Sequence, residues 1–211
     1  MTPVERAPLL RGAGFQPASG TDLRGAGCQP ASGTDLRGVG FQPAPGTEPR
    51  LRRPKHHDLG RIPYFVTTRT HESERVFVGL GASTAMDELF DLRTKYGFLV
   101  PAFVFMPDHA HLVIVPQQGF TISQTMCVVK GGIARRVNSE LHRDGAIWQD
   151  GFRDNAPKSI DELHAFITYT EQNPVRAGLA TTATDYLFSS ADGRYEADYQ
   201  AFFALEREDA G

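Results

Sequence analysis

The stretch Met106-Pro107-Asp108-His109-Ala110-His111-Leu112-Val113-Ile114-Val115 decides how this chain is read. Pro107 forbids a helix across the segment, and the Leu-Val-Ile-Val run behind it has the branched, apolar character of a buried strand. A strand is therefore predicted over 111–115, with a Met-Pro-Asp turn before it and the histidines at its start. Successive strand side chains alternate faces, so His109 and His111 share one face and aim both imidazoles at one region of space. A strand offers a metal ion two ligands in this way. A buried histidine satisfied by a backbone carbonyl gives the same pattern, so this segment alone leaves both readings open.

Upstream, the Tyr, Phe, Val and Thr content of residues 62–68 predicts another strand. A helix follows over 83–96, with Met86, Leu89, Phe90 and Leu92 or Arg93 as its buried stripe and Gly97 as its stop. Residues 98–105 read as a strand, 123–141 as a second helix, 147–155 as a short strand and 160–173 as a third helix opened by Ser159, Asp161 and Glu162. The order is β-α-β-β-α-β and then α. It matches an α+β, ferredoxin-like split βαβ: one antiparallel sheet with helices on one face, followed by an extra helix.

That extra helix carries the second motif, Tyr169-Thr170-Glu171-Gln172-Asn173-Pro174-Val175-Arg176-Ala177-Gly178-Leu179. Pro174 disfavours helical geometry at Asn173, so the helix is expected to stop there. The i,i+4 spacing would then leave the Tyr169 hydroxyl and the Asn173 amide on about the same face. An ordinary amphipathic core tyrosine followed by helix-ending Asn-Pro has the same pattern.

The flanks look different. Residues 10–48 repeat with a period of thirteen (LRGAGFQPASGTD, LRGAGCQPASGTD, LRGVGFQPAPGTE), each unit rich in Gly, Pro, Ser and Thr with at most one aromatic. Such units bury too little apolar surface to offset the entropy of ordering the backbone, so residues 1–57 are expected to be a disordered repeat tail and basic linker. The single domain is placed at 58–200 and a C-terminal tail at 201–211. Residues 1–55 hold eight of the 22 Lys and Arg but only four of the 25 acids, which leaves the domain acidic. That balance excludes an indiscriminate nucleic-acid binder, so DNA contact must come from a local patch. No secretory h-region or long apolar span is present, so the expected location is the cytoplasm, with no membrane partner. The two cysteines form no CxxC zinc motif.

Taken together, the motifs resemble the REP-associated tyrosine transposases of the single-tyrosine HUH superfamily. The resemblance runs through Tyr64-Phe65-Val66-Thr67, the His109/His111 core, Ile147-Trp148-Gln149-Asp150-Gly151-Phe152, and Tyr169 through Leu179. An aromatic-Ser-Ser element follows at Tyr186-Leu187-Phe188-Ser189-Ser190. It covers about residues 60–200 and omits the repeat tail. It implies a ferredoxin-like nuclease fold, a divalent metal, single-stranded DNA substrates with hairpins, and a tyrosine nucleophile.

On that footing Tyr169 is the expected nucleophile, and His109, His111 and Asn173 are the expected ligands of Mg2+ or Mn2+. Asp108 either orients a histidine or simply forms the turn. Lys130, Arg135, Arg136, Arg153, Lys158 and Arg176 are the expected DNA-binding residues, with Trp148, Phe152 or Phe188 stacking on unpaired bases. Trp148 also reads as a core residue. A free phenol is ionised in only about one molecule in a thousand at neutral pH, so the site must help it attack. The product would be a 5′-phosphotyrosine and a free 3′-hydroxyl. That linkage conserves the bond energy, so rejoining needs no nucleoside triphosphate, consistent with the absence of a GxxxxGK[ST] loop. The partner is single-stranded or hairpin DNA, bound by a monomer or a homodimer. A histidine-triad hydrolase would need a third histidine where Val113 stands, and a replication initiator or relaxase normally belongs to a larger chain. The non-enzymatic alternative is a domesticated hairpin-DNA-binding regulator.

Overall fold

The computed structural model describes residues 61–195, 198, 199, 201 and 202. The repeat tail, the basic linker and nearly all of the C-terminal tail lie outside the described residues. Four strands and three helices follow one another as β1 (Tyr64–Arg69), α1 (Leu80–Tyr96), β2 (Leu99–Met106), β3 (His109–Val115), α2 (Ile122–Glu140), β4 (Arg153–Asn155) and α3 (Ile160–Arg176). The sheet order is β2-β3-β1-β4 with every neighbouring pair antiparallel. Two split βαβ units interleaved in this order are the ferredoxin-like arrangement, as expected.

Alternation sorts the two faces of the sheet. Tyr64 and Val66 of β1, Phe103 and Phe105 of β2, and Ala110, Leu112 and Ile114 of β3 are buried in one cluster with α1 and α2. The opposite parity packs against α3: Ala102, Val113 and Val115 meet Leu163, with Phe65, Phe166 and Ile167 around them. His109 and His111 have this second parity, so they share a face with α3 and not with the main core. A one-residue slip of β3 would turn the imidazoles into the main core and swap Leu112 and Ile114 onto the face that packs on α3. Burying a polar imidazole in that core without a partner is what the observed register avoids.

Three boundaries differ from the expectation. β3 begins at His109, not His111, so both histidines lie within the ladder and only Pro107 and Asp108 form the turn. The strand expected over 147–155 is ordered as β4 only over Arg153–Asn155, because the chain leaves the sheet at Gly151, whose φ of +73° suits glycine. The third helix runs through Pro174 to Arg176. Proline in a last turn forfeits one intrahelical bond but keeps a helical φ, and the true stop lies beyond it. Gly178, at φ +69°, takes the left-handed position. Its N–H donates to Val175 O at 3.0 Å and the Leu179 N–H to Pro174 O at 2.8 Å, a Schellman closure.

The 186–190 element covers the outer edge of β2. Phe105 N donates to Phe188 O at 2.9 Å, Tyr186 Oη donates to Phe105 O at 2.9 Å, and Ser189 bridges to Val104. Ser190 Oγ then reaches Glu171 Oε1 on α3 at 3.0 Å. The element therefore ties the tyrosine helix to the sheet edge. Lys130-Gly131-Gly132 lies mid-helix in α2, with Gly132 buried against Leu92 of α1, so it is no phosphate loop. Among the described residues no helix is long and apolar enough to cross a membrane.

Candidate active site

β3 is the centre of the site, and its two neighbours supply the surroundings of each imidazole. In the ladder Thr67 of β1 and Val104 of β2 flank His111, while Arg69 and Met106 flank His109. The two rings stand 4.9 Å apart between centroids and nearly perpendicular, at 82°. His111 Nδ1 shares a 2.9 Å hydrogen bond with the Thr67 hydroxyl. His109 Nδ1 lies 2.7 Å from Asp108 Oδ1. Burial by itself would raise the Asp108 carboxyl, but its bond to His109 and the charges of His109 and Arg69 outweigh that and hold it below its ordinary value. The ionised carboxylate can only accept, so His109 donates through Nδ1–H. Each ring thus has Nδ1 engaged, leaving Nε2 as its remaining nitrogen.

His111 is 7% exposed, and burial first, with His109 and Arg69 adding to it, lowers its pKa to about 4. At neutral pH this imidazole keeps its lone pair. The shift has a consequence for the metal-free, DNA-free protein. Between pH 6.5 and 4 the unfolded chain binds a proton at this residue that the folded chain refuses, so stability falls as pH falls through that window. In chelator, thermal melts of the wild type should lose up to about 1.4 kcal/mol per pH unit from this residue. His111→Gln should decline less steeply than wild type, and parallel curves would contradict the shift.

The turn before β3 is braced from beneath. Thr70 is fully buried; its hydroxyl, a single donor, lies 2.8 Å from Asp108 O and 2.7 Å from Glu74 O, and its N–H donates to Asp108 O at 2.9 Å. Thr70→Val should cost about 1–2 kcal/mol, read as a lowered denaturant midpoint at unchanged slope. An unchanged midpoint would show that the turn holds without the hydroxyl.

α3 brings the phenol in from the same side. Phe65 is the docking platform: its ring stacks on His111 at 5.4 Å and on Phe166 at 5.1 Å, and meets Tyr169 edge-on at 5.7 Å. The Tyr169 ring reaches the His111 ring at 5.6 Å and 78°. Tyr169 remains 39% exposed, and the Arg176 guanidinium lies 5.1 Å from its ring. One turn further along α3, Asn173 Nδ2 is buried without a hydrogen-bond partner. The nitrogen and oxygen of a carboxamide occupy interchangeable positions, so this orphaned atom is equally a place for an oxygen ligand. Among the described residues no group of three or more His, Cys, Asp or Glu is placed to hold a metal ion. Two imidazoles and an orphaned carboxamide are, as donor types, a set that suits one.

The expected DNA-binding residues divide. Arg153, on β4 opposite Thr67, lines an open cleft of about 520 Å³ together with Thr67, Arg69, His111, Phe152 and Tyr169. Arg176 stacks on the phenol, Arg135 is exposed on α2, and Lys158 is exposed just before α3. Arg136 is instead paired with Glu88 and Asp91 of α1. Lys130 points its ammonium at Gln149 O (2.9 Å) and Gly151 O (2.5 Å). Trp148 is a core residue, 4.8 Å from Phe77, with Nε1–H donating to Lys130 O at 3.1 Å. Phe152 and Phe188 both pack against the main core, and Phe152 also lines the cleft. Thr67 and Arg69 were not singled out from the sequence. Their parity follows from the strand pattern, but their place opposite the histidines depends on β1 lying beside β3.

The family described as "Transposase IS200 like" matches residues 61–173, more than half of the chain. A Haemophilus influenzae protein named REP-associated tyrosine transposase is 25% identical over 105 residues, covering 45% of this chain and 60% of that protein. The chain thus spans somewhat under two thirds of that relative. A solved REP-associated tyrosine transposase bound to a REP hairpin shares the fold at a TM-score of 0.57 and 18% identity, over 69% of this chain and 89% of that one. A Deinococcus radiodurans protein described as a transposase aligns at a TM-score of 0.42 and 24% identity, over 58% of this chain and 96% of that one.

Proposed function

The chain belongs to the IS200-like transposase family, and we propose that it is a metal-dependent, single-tyrosine DNA transesterase that cuts and rejoins single strands at REP-like hairpins. One observation carries the reading: Tyr169, from α3, and the HxH pair, from β3, meet on one sheet face within a single chain, 5.6 Å apart at the His111 ring. The names of the Haemophilus relative and of the hairpin-bound structure support the choice of DNA. The active unit is assigned to residues 58–200.

His109 and His111, through Nε2, and the Asn173 carboxamide would hold a divalent cation. Two imidazoles suit Mn2+ better than Mg2+, which prefers an all-oxygen shell. When bound, the cation supplies charge neutralisation at the scissile phosphate. Everything else belongs to the protein. Asp108 fixes the tautomer of His109 and Thr67 the orientation of His111. Phe65 and the Ser190–Glu171 link hold α3 so that Tyr169 faces the site, and Arg69, Arg153 and Arg176 bring positive charge to the DNA backbone. Arg135 and Lys158 extend that charge outward. The Tyr169 Oη–P bond forms as the P–O3′ bond breaks, and the phenolic proton reaches the departing 3′ oxygen by way of solvent. The 5′-phosphotyrosine can then be attacked by a 3′-hydroxyl, which reverses the bookkeeping of bonds and restores the phenol.

The test is a labelled hairpin oligonucleotide incubated with Mn2+ and resolved under denaturing conditions. A protein–DNA adduct is expected. Tight binding with no adduct would instead favour a hairpin-binding regulator that has kept the fold without cutting.

A further inference from the structure

We propose that Lys130 is a positioning residue: its ammonium holds the 150–152 bulge off the edge of β1, and that bulge is the wall seating a DNA strand beside Tyr169. The second half of this proposal rests on the function proposed above, and the first half does not.

The geometry begins with a mismatch along the β1 edge. Gln149 N donates to Arg69 O at 2.9 Å, and Arg153 pairs with Thr67. Between those two contacts β1 has one residue, Thr68, while the facing segment has three, 150–152. The surplus must leave the ladder, and Gly151 at φ +73° permits the sharp excursion. The cleft opens in that gap, with Thr67, Arg69, His111 and Tyr169 on one side and residues 149–153 on the other.

A bulge that leaves its ladder strands backbone carbonyls, and buried or partly buried carbonyls need partners. Lys130 provides them for Gln149 and Gly151 from the α2 side. The root of the same lysine is fixed as well, since its carbonyl accepts from the buried Trp148 indole. Residue 130 therefore grips the segment at 148, 149 and 151. Two of the ammonium's three donors are engaged on these carbonyls. On this proposal Lys130 shapes the cleft rather than neutralising a DNA phosphate, while Arg69 and Arg153 line the cleft directly.

The full chain is compared with Lys130→Met, which keeps the aliphatic stem and its packing, and with Lys130→Arg, which restores donors. Hydrogen exchange of peptides spanning 147–155 is followed without DNA. Hairpin affinity is measured across a salt series, and kcat and KM are measured for cleavage. The proposal expects exchange in 147–155 to rise about tenfold or more in Lys130→Met and to recover in Lys130→Arg. It also expects an unchanged slope of log affinity against log salt and a fall in kcat of about tenfold. Unchanged exchange with a salt slope shallower by about 0.7 would make Lys130 a phosphate contact and overturn the proposal. Raised exchange with unaltered kcat would overturn the seating role. Should the wild type form no adduct, the nuclease reading fails, whereas the exchange data still decide whether Lys130 holds the bulge.

Discussion

Tyr169→Phe is expected to fold, to bind hairpin DNA as the wild type does, and to form no covalent adduct. The ring of Tyr169 makes the packing contacts, to Phe65, His111 and the Arg176 guanidinium, and phenylalanine preserves all three. The residue is also substantially exposed, so loss of its hydroxyl leaves no buried group stranded. Only the reacting atom is removed. Loss of a nucleophile typically costs at least about 10³-fold in rate. Thr170 is buried and its hydroxyl donates to Phe166 O at 2.8 Å. Single-turnover cleavage of a labelled hairpin, with melting and binding measured on the same preparations, separates the outcomes. Residual adduct above about a hundredth of wild type would mean that another residue attacks.

The second large effect is expected at the histidines, and it should come in two grades. His109→Ala removes a proposed ligand from a ring whose Nδ1 is already committed to Asp108. Cleavage should fall by about 10³-fold or more, with hairpin binding retained. Asp108→Asn keeps the ligand but weakens what orients it. Loss of such a partner typically lowers metal affinity about 10–100-fold, so this variant should need that much more Mn2+ and recover most of its rate at saturation. Metal titrations of cleavage distinguish the two. A His109→Ala enzyme rescued by the same modest excess of Mn2+ would place the cation elsewhere.

Much of this site was legible because it depends on short-range periodicities. The two-residue period of a strand put His109 and His111 on one face, and the four-residue spacing of a helix put Tyr169 and Asn173 on another. Which side of the sheet that face looks to was not legible, because Leu112, Val113, Ile114 and Val115 are all apolar and all buried. What else was not legible depended on neighbours distant in sequence. Thr67 and Arg69 matter because β1 lies beside β3, and Lys130 turns away from solvent because the segment after Trp148 bulges. The end of α3 was misplaced for a different reason. Pro174 is a strong local signal, but a proline near a helix terminus loses only one bond, and Gly178 was the residue that met the backbone requirement of a helix stop. The short β4 was likewise announced by Gly151, within a segment whose flanking residues read as strand.

The proposed chemistry requires His109, His111, Asn173 and Tyr169 to converge about one cation. Crystals of the full chain grown with Mn2+ and measured for anomalous scattering test this directly. The predicted result is a single strong peak at about 2.2 Å from both imidazole Nε2 atoms, with the Asn173 carboxamide turned to present its oxygen and the Tyr169 hydroxyl facing the same ion. A peak away from the HxH pair, or none at saturating Mn2+ with the imidazoles unchanged, would contradict it.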